Sequence, residues 1–107
     1  MDTSQLLKGV LDVAVLAVLR DGDGYGYDVL RRLRRAGIAG VGDASVYGTL
    51  RRLYGQGVLT MYVEASEEGP HRKYYALNER GREQLDASAK VWREFTETMS
   101  RLLEGSR

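Results

Sequence analysis

SVYGTLRRLYGQGVLTMYVEASEEGPHRKYYAL, Ser45 to Leu77, is the stretch on which the fold turns. Its first part has helical spacing, with Val46, Leu50 and Leu53 at i, i+4 and i+7 forming one apolar stripe. Asp43 precedes it as an N-cap, and Gly57 ends it. Stepping round at 100° per residue, the opposite side holds Ser45, Gly48, Arg51, Arg52 and Gly55, with Tyr47 and Tyr54 on one flank and Thr49 on the other. The second part changes period. VLTMYVEA (Val58 to Ala65) and RKYYAL (Arg72 to Leu77) are β-branched and aromatic, as strands are, and Gly69-Pro70 makes SEEGPH a turn. A helix followed by a β-hairpin with a partly basic tip is the expected outcome.

Upstream, Tyr25 to Ala36 reads as a helix with Val29, Leu30 and Leu33 inward and Gly37 as its cap. A tight connector, IAGVG, joins it to the helix beginning near Asp43. The first helix is expected from Thr3 or Ser4 to Leu19. Its apolar residues (Leu6, Leu7, Val10, Leu11, Ala14, Val15, Val18 and Leu19, joined by Val13 and Leu16) cover most of its circumference. Burial all round in so small a chain points to cover by a second subunit.

Downstream, Asn78 is placed to cap a helix reaching about Glu104, with Glu79 in its first turn. A seven-residue repeat puts Leu85, Trp92 and Met99 at one stripe position and Ser88, Phe95 and Leu102 at the other. Such a stripe suits packing on a partner subunit; packing back on its own domain is the plainer alternative. Expected organisation is therefore residues 1–78 as one unit and 79–107 as a dimerisation helix continuous with it.

Composition narrows the chemistry. With 107 residues one domain is expected, and with no cysteine there are no disulfides, thiolate metal sites or cysteine nucleophiles. Val13 to Leu19, the longest apolar run, is too short to cross a bilayer, so no membrane partner is expected and a cytoplasmic location is. Net charge is +1 but unevenly spread. Between Arg31 and Tyr54, six arginines (31, 32, 34, 35, 51 and 52) face one acid, Asp43, for a local +5. Between Glu83 and Glu104 three basic and five acidic residues leave −2. A basic middle fits a polyanion, although solvated helix faces would look the same.

Helix, helix, tight connector, helix and hairpin is the order of a winged helix-turn-helix, a mainly α fold with a small β-hairpin. In that architecture the third helix enters the major groove and the hairpin meets the flanking backbone. Arg51 and Arg52 are the candidates to grip guanine edges or phosphates, Ser45 and Thr49 to add hydroxyls, and Gly48 to let DNA approach closely or simply to be a tolerated weak helix former. His71, Arg72 and Lys73 belong to the wing. A catalytic reading of His71 fails, because no second histidine, cysteine or serine–base pair supports it. A metal held by His71 with Glu67 or Glu68 is the weaker alternative. Neither an enzyme nor a cofactor is expected.

From Leu6 to Leu103 the sequence resembles the PadR family of bacterial transcriptional regulators. The resemblance rests on KGVLDVAVLAVL (Lys8 to Leu19), GYGYDVLRRL (Gly24 to Leu33), SVYGTLRRLYGQGVL (Ser45 to Leu59) and GPHRKYYALNERGREQL (Gly69 to Leu85). Gly48 is a departure, since many members carry proline after the tyrosine. The resemblance implies a dimeric repressor of the compact subgroup, acting on a palindromic operator. Carried over, the DNA-contacting positions are Ser45, Tyr47, Thr49, Arg51 and Arg52, the wing positions His71, Arg72 and Lys73, and a further phosphate contact at Tyr25. Tyr27 is a second candidate for such a contact, core being the alternative for both tyrosines and the favoured reading for Tyr27. The first and last helices would dimerise, through Leu6, Val10, Leu85, Trp92, Phe95, Met99 and Leu102. Trp92 would also face a flat aromatic effector, or serve only as a packing anchor; a metal effector is left open. The rival is a winged-helix module that binds protein without DNA.

Overall fold

The structure, a computed structural model, describes residues 9–67 and 69–105. Among these, α1 (Leu11–Arg20) is followed by β1 (Gly24–Tyr25), α2 (Gly26–Arg35), α3 (Asp43–Gly55), β2 (Leu59–Ser66), β3 (Gly69–Leu77) and α4 (Glu79–Glu104). Three helices and the base of the hairpin enclose one core, in which Leu16, Leu30, Leu33, Leu50 and Leu53 are fully buried. Each such side chain contributes about 1.5–3 kcal/mol by leaving water. The stripes read from the sequence on α2 and α3 are the ones buried.

Helix ends follow from local chemistry. Gly37 (φ +109°) and Gly57 (φ +81°) take the left-handed conformation that closes α2 and α3, and Ile38 and Val58 then donate back to the carbonyls of Leu33 and Leu53. Asn78 caps α4: its Oδ1 accepts from the Gly81 amide at 2.8 Å while its Nδ2 donates to the Gly57 carbonyl at 2.9 Å. One side chain thus ties the start of α4 to the end of α3.

Three expectations about the elements are corrected, and one strand is new. Gly9 has φ +84° and α1 begins at Leu11, so no unbroken helix runs through that point. The caps expected at Thr3 or Ser4, and Leu6 with them, lie outside the described residues. Asp43 is the first residue of α3 and Gly42 its N-cap. The turn is also shorter than SEEGPH, because β3 starts at Gly69. Pro70 is tolerated in β3 because β1 pairs only with Tyr74 and Tyr75, leaving the strand's outer side free at that end. Unforeseen altogether was β1, whose two residues make the sheet three-stranded, antiparallel, in the order β1-β3-β2.

α4 begins inside the fold and leaves it. Gly81 and Leu85 are buried, with Leu85 only 3% exposed among the core residues of its own chain. Its expected place on a subunit interface is therefore wrong: the first heptad position serves the domain's own core. Further along, Val91 and Phe95 are exposed, and Leu102 and Leu103 are 69% and 79% exposed. At 1.5 Å per residue the helix is about 39 Å long, which gives the molecule its 60 × 31 × 20 Å extents. Among the described residues no helix is long and apolar enough to cross a membrane.

Candidate nucleic-acid interface

The outward face of α3 divides in two. Tyr47, Arg51 and Tyr54 turn toward the hairpin; Ser45, Gly48, Thr49 and Arg52 turn toward α1. On the hairpin side they line a groove of about 510 Å³ with Tyr25, Gly26 and Tyr27 from the start of α2 and Met61, Arg72, Lys73 and Tyr75 from the sheet. Three cations line this groove and no carboxylate does, among the described residues. Arg51 is exposed and has no hydrogen bond or ion pair there.

Arg72 owes its orientation to stacked rings. Register pairs Tyr62 with Tyr74 and Tyr74 with Tyr25, so the three share one face of the sheet. Tyr62 and Tyr74 stack at 5.5 Å, Tyr74 meets Tyr25 edge-on at 5.3 Å, and the Arg72 guanidinium lies 4.5 Å over the Tyr25 ring. At the far end the Tyr62 hydroxyl donates to Asp23 at 2.7 Å, and chiefly for that reason its phenol is pushed up to about 12. His71, Arg72 and Lys73 stand on β3 and not at the hairpin tip, with Arg72 opposite Glu64. Among the described residues no three His, Asp or Glu side chains are gathered to hold a metal. Glu68 lies outside those residues.

On the α1 side the expectation fails for two residues. Thr49 is 5% exposed, and its hydroxyl is spent on the Ser45 carbonyl at 2.7 Å. α1 and the connector widen the covered side of α3, so a residue on the edge of the stripe becomes interior. Arg52 reaches Asp12 on α1 with both terminal nitrogens, each at 2.7 Å from a carboxylate oxygen. It is therefore a brace between α1 and α3, with both terminal nitrogens engaged. Its hydrogen bond holds the Asp12 carboxyl below the ordinary 3.8, against the opposing effect of burial. The pair therefore stabilises the fold above the unfolded-state pKa, and the contribution is lost as pH falls through the lower folded value. For a pair this exposed the contribution is about 1 kcal/mol or less. Asp12→Asn should lower the midpoint of thermal unfolding slightly at pH 7, and the difference from the unaltered protein should shrink as pH falls below the unfolded-state 3.8 and close beneath the lower folded value.

Most of the basic run proves to be structural. Arg32 inserts against the end of α1, donating to the carbonyls of Val18, Gly22 (3.0 Å) and Asp23 (3.4 Å) and to Asp28 (3.4 Å). Arg31 pairs with Asp28 at 3.3 Å, and Arg34 donates to the Val41 carbonyl at 3.3 Å. Tyr27 corrects the sequence reading the other way. It is half-exposed on the groove, with Arg31 5.3 Å over its ring, and is not core. Tyr54, Met61 and Gly26 were not singled out for this surface. Nothing in local pattern marks them, since only the sheet's approach to α2 and α3 gathers them.

Comparison with known proteins identifies the family and the fold. Residues 15–87 match the Transcriptional regulator PadR-like family. A PadR-like transcriptional regulator from Bacillus cereus is 33% identical, with a TM-score of 0.84 over 95% of this chain and 99% of that one. A PadR family regulator from Eggerthella lenta is 29% identical, with a TM-score of 0.85 over 97% and 90%. Bacillus subtilis PadR, solved in complex with operator DNA, shares the fold at 24% identity and a TM-score of 0.68, over 75% of this chain and 46% of its own.

Proposed function

Since the chain belongs to the PadR-like family of transcriptional regulators, we propose that it binds a palindromic operator as a homodimer and represses the adjoining promoter. The groove carries this reading: Arg51, Arg72 and Lys73 converge on it with five tyrosines and no acid among the described residues. Phosphates are the ligand that so unbalanced a surface suits, and operator DNA is what the Bacillus subtilis PadR holds. Arg51 is the base-reading side chain. Ser45, Tyr47 and Gly48 meet the same groove of the duplex, and Tyr25, Arg72 and Lys73 grip backbone. A protein-binding module would not require three unpaired cations there.

Dimerisation through α4 is supported by Phe95, Met99 and Leu102, the outer part of the heptad stripe, with Val91 and Leu103 beside it and Val10 at the foot of α1. Trp92 meets Phe95 edge-on at 6.1 Å and borders a depression of about 320 Å³ with Gly9, Val13, Ala87, Ser88 and Val91. A second copy laid on α4 would roof this depression, which suits a flat aromatic effector. The cytoplasm, where the operator is, is where the protein acts.

Selection of bound fragments from the source genome, with footprinting and light scattering, tests the reading. A protected palindrome, a dimeric mass and a log affinity falling linearly with log salt are expected. A monomer, or no binding at low salt, would sink it. Gly48 supplies a sharper check, since a Cβ there meets nothing within 4 Å. Gly48→Ala should add about 1 kcal/mol of stability, or about 4–8 °C in the unfolding midpoint, while weakening operator binding. Stability gained with affinity unchanged would reduce Gly48 to a weak helix former.

A further inference from the structure

Gly26 opens α2 and is buried, yet nothing in its backbone asks for glycine, because its φ is not positive. Its neighbour does. A Cβ on Gly26 would stand 1.7 Å from Cε1, 2.2 Å from Cδ1 and 2.9 Å from Cζ of Tyr47. Real Cβ contacts stay above about 3 Å, so the ring occupies the space that any side chain on Gly26 would need. Tyr47 is one turn before Arg51 on α3, and both line the groove. We infer that Gly26 is a positioning residue for DNA recognition, a bare seat on α2 that fixes the Tyr47 ring beside Arg51 at the groove.

This inference rests on the proposed DNA-binding function and adds a specificity device to it. An exposed tyrosine on a helix has two free side-chain torsions, and ordering it at the moment of binding costs affinity. Laid against the Gly26 backbone, Tyr47 is ordered beforehand. The cause of the glycine then lies on a different helix from the side chain it controls, and the pair spans the two helices of the helix-turn-helix. Gly24, close by, differs: its nearest neighbours include the ends of the Asp28 and Arg32 side chains, and it lines no part of the groove.

A double-mutant cycle tests it, using Gly26→Ala, Tyr47→Ala and the pair, each measured against a selected operator and a scrambled duplex. Gly26→Ala should lower operator affinity about tenfold, a coupling usual for side chains in contact, and reduce discrimination against the scrambled duplex. In the Tyr47→Ala background, where the clash is gone, Gly26→Ala should restore the unfolding midpoint and have no further effect on binding. A second readout is independent of DNA. The Gly26 α-proton resonances should be displaced by the ring current of Tyr47 in the unaltered protein and return toward ordinary values in Tyr47→Ala. Equal losses in both backgrounds, or operator binding by Gly26→Ala equal to that of the unaltered protein, would overturn the inference. Absence of operator binding by the unaltered protein would instead overturn the functional reading on which it stands.

Discussion

Arg51→Ala is expected to lower operator affinity by roughly tenfold to a hundredfold, the range usual for losing a bidentate base contact, and to relax discrimination at the base pair it reads. Arg51 is singled out over its neighbour by what each already touches. Arg52 presents both terminal nitrogens to Asp12 at 2.7 Å, so recruiting it to DNA would first mean breaking that pair. Arg51 has no partner to give up among the described residues. Arg52→Ala should accordingly alter stability more than discrimination. Lys73→Ala should weaken operator and scrambled duplexes about equally and flatten the salt dependence by roughly one unit of slope, as removing a phosphate contact does. Fluorescence anisotropy with both duplexes at several salt concentrations separates the three. If Arg51→Ala weakens both duplexes equally, Arg51 holds backbone and the assignment of base reading to it fails.

Gly81→Ala is expected to destabilise the protein by about 3 kcal/mol, the upper part of the usual range for overpacking, and to lower the unfolding midpoint by about 12–24 °C. The added Cβ would lie 2.2 Å from the Val58 carbonyl oxygen and 2.6 Å from Leu77 Cδ1. The first of these is backbone, and it cannot turn aside. Gly81 also donates its amide to the Asn78 cap, so any shift of α4 away from the clash strains the cap and its bond to Gly57. Gly55→Ala, where a Cβ meets nothing within 4 Å, is the matched control and should not destabilise. Thermal unfolding followed by circular dichroism measures both. A loss below about 1 kcal/mol at Gly81 would mean that α4 starts with more freedom than its contacts imply.

Legibility of the sequence tracked the range of the interaction. Val46, Leu50 and Leu53 declare α3 because helical period and burial coincide within three turns. The Asn78 cap is equally local, lying three residues from the amide it accepts. The groove was legible only in part. Tyr47, Arg51, Arg72, Lys73 and Tyr25 were named, but Tyr27 was assigned to the core, and Gly26, Tyr54 and Met61 carried no signal. Six arginines in a run read as a polyanion surface, yet Arg31, Arg32, Arg34 and Arg52 each hold a carboxylate or carbonyl of their own chain.

What the sequence determined by itself was the succession of elements, their stripes, the hairpin and the cap, because each follows from residues within a few positions of one another. Which arginines remained free, that Thr49 turned inward, that Leu85 entered its own core and that Gly26 lay beneath Tyr47 were decided by tertiary structure alone. Apart from Arg31, whose partner Asp28 is three residues away, the deciding contacts join residues or elements far apart in the chain, such as Arg32 with Val18 and Arg52 with Asp12. A charge or a methylene carries no mark of what will stand opposite it until the helices and the sheet close around the core. The sequence therefore wrote the winged helix-turn-helix, and packing chose which of its surface residues were left to bind.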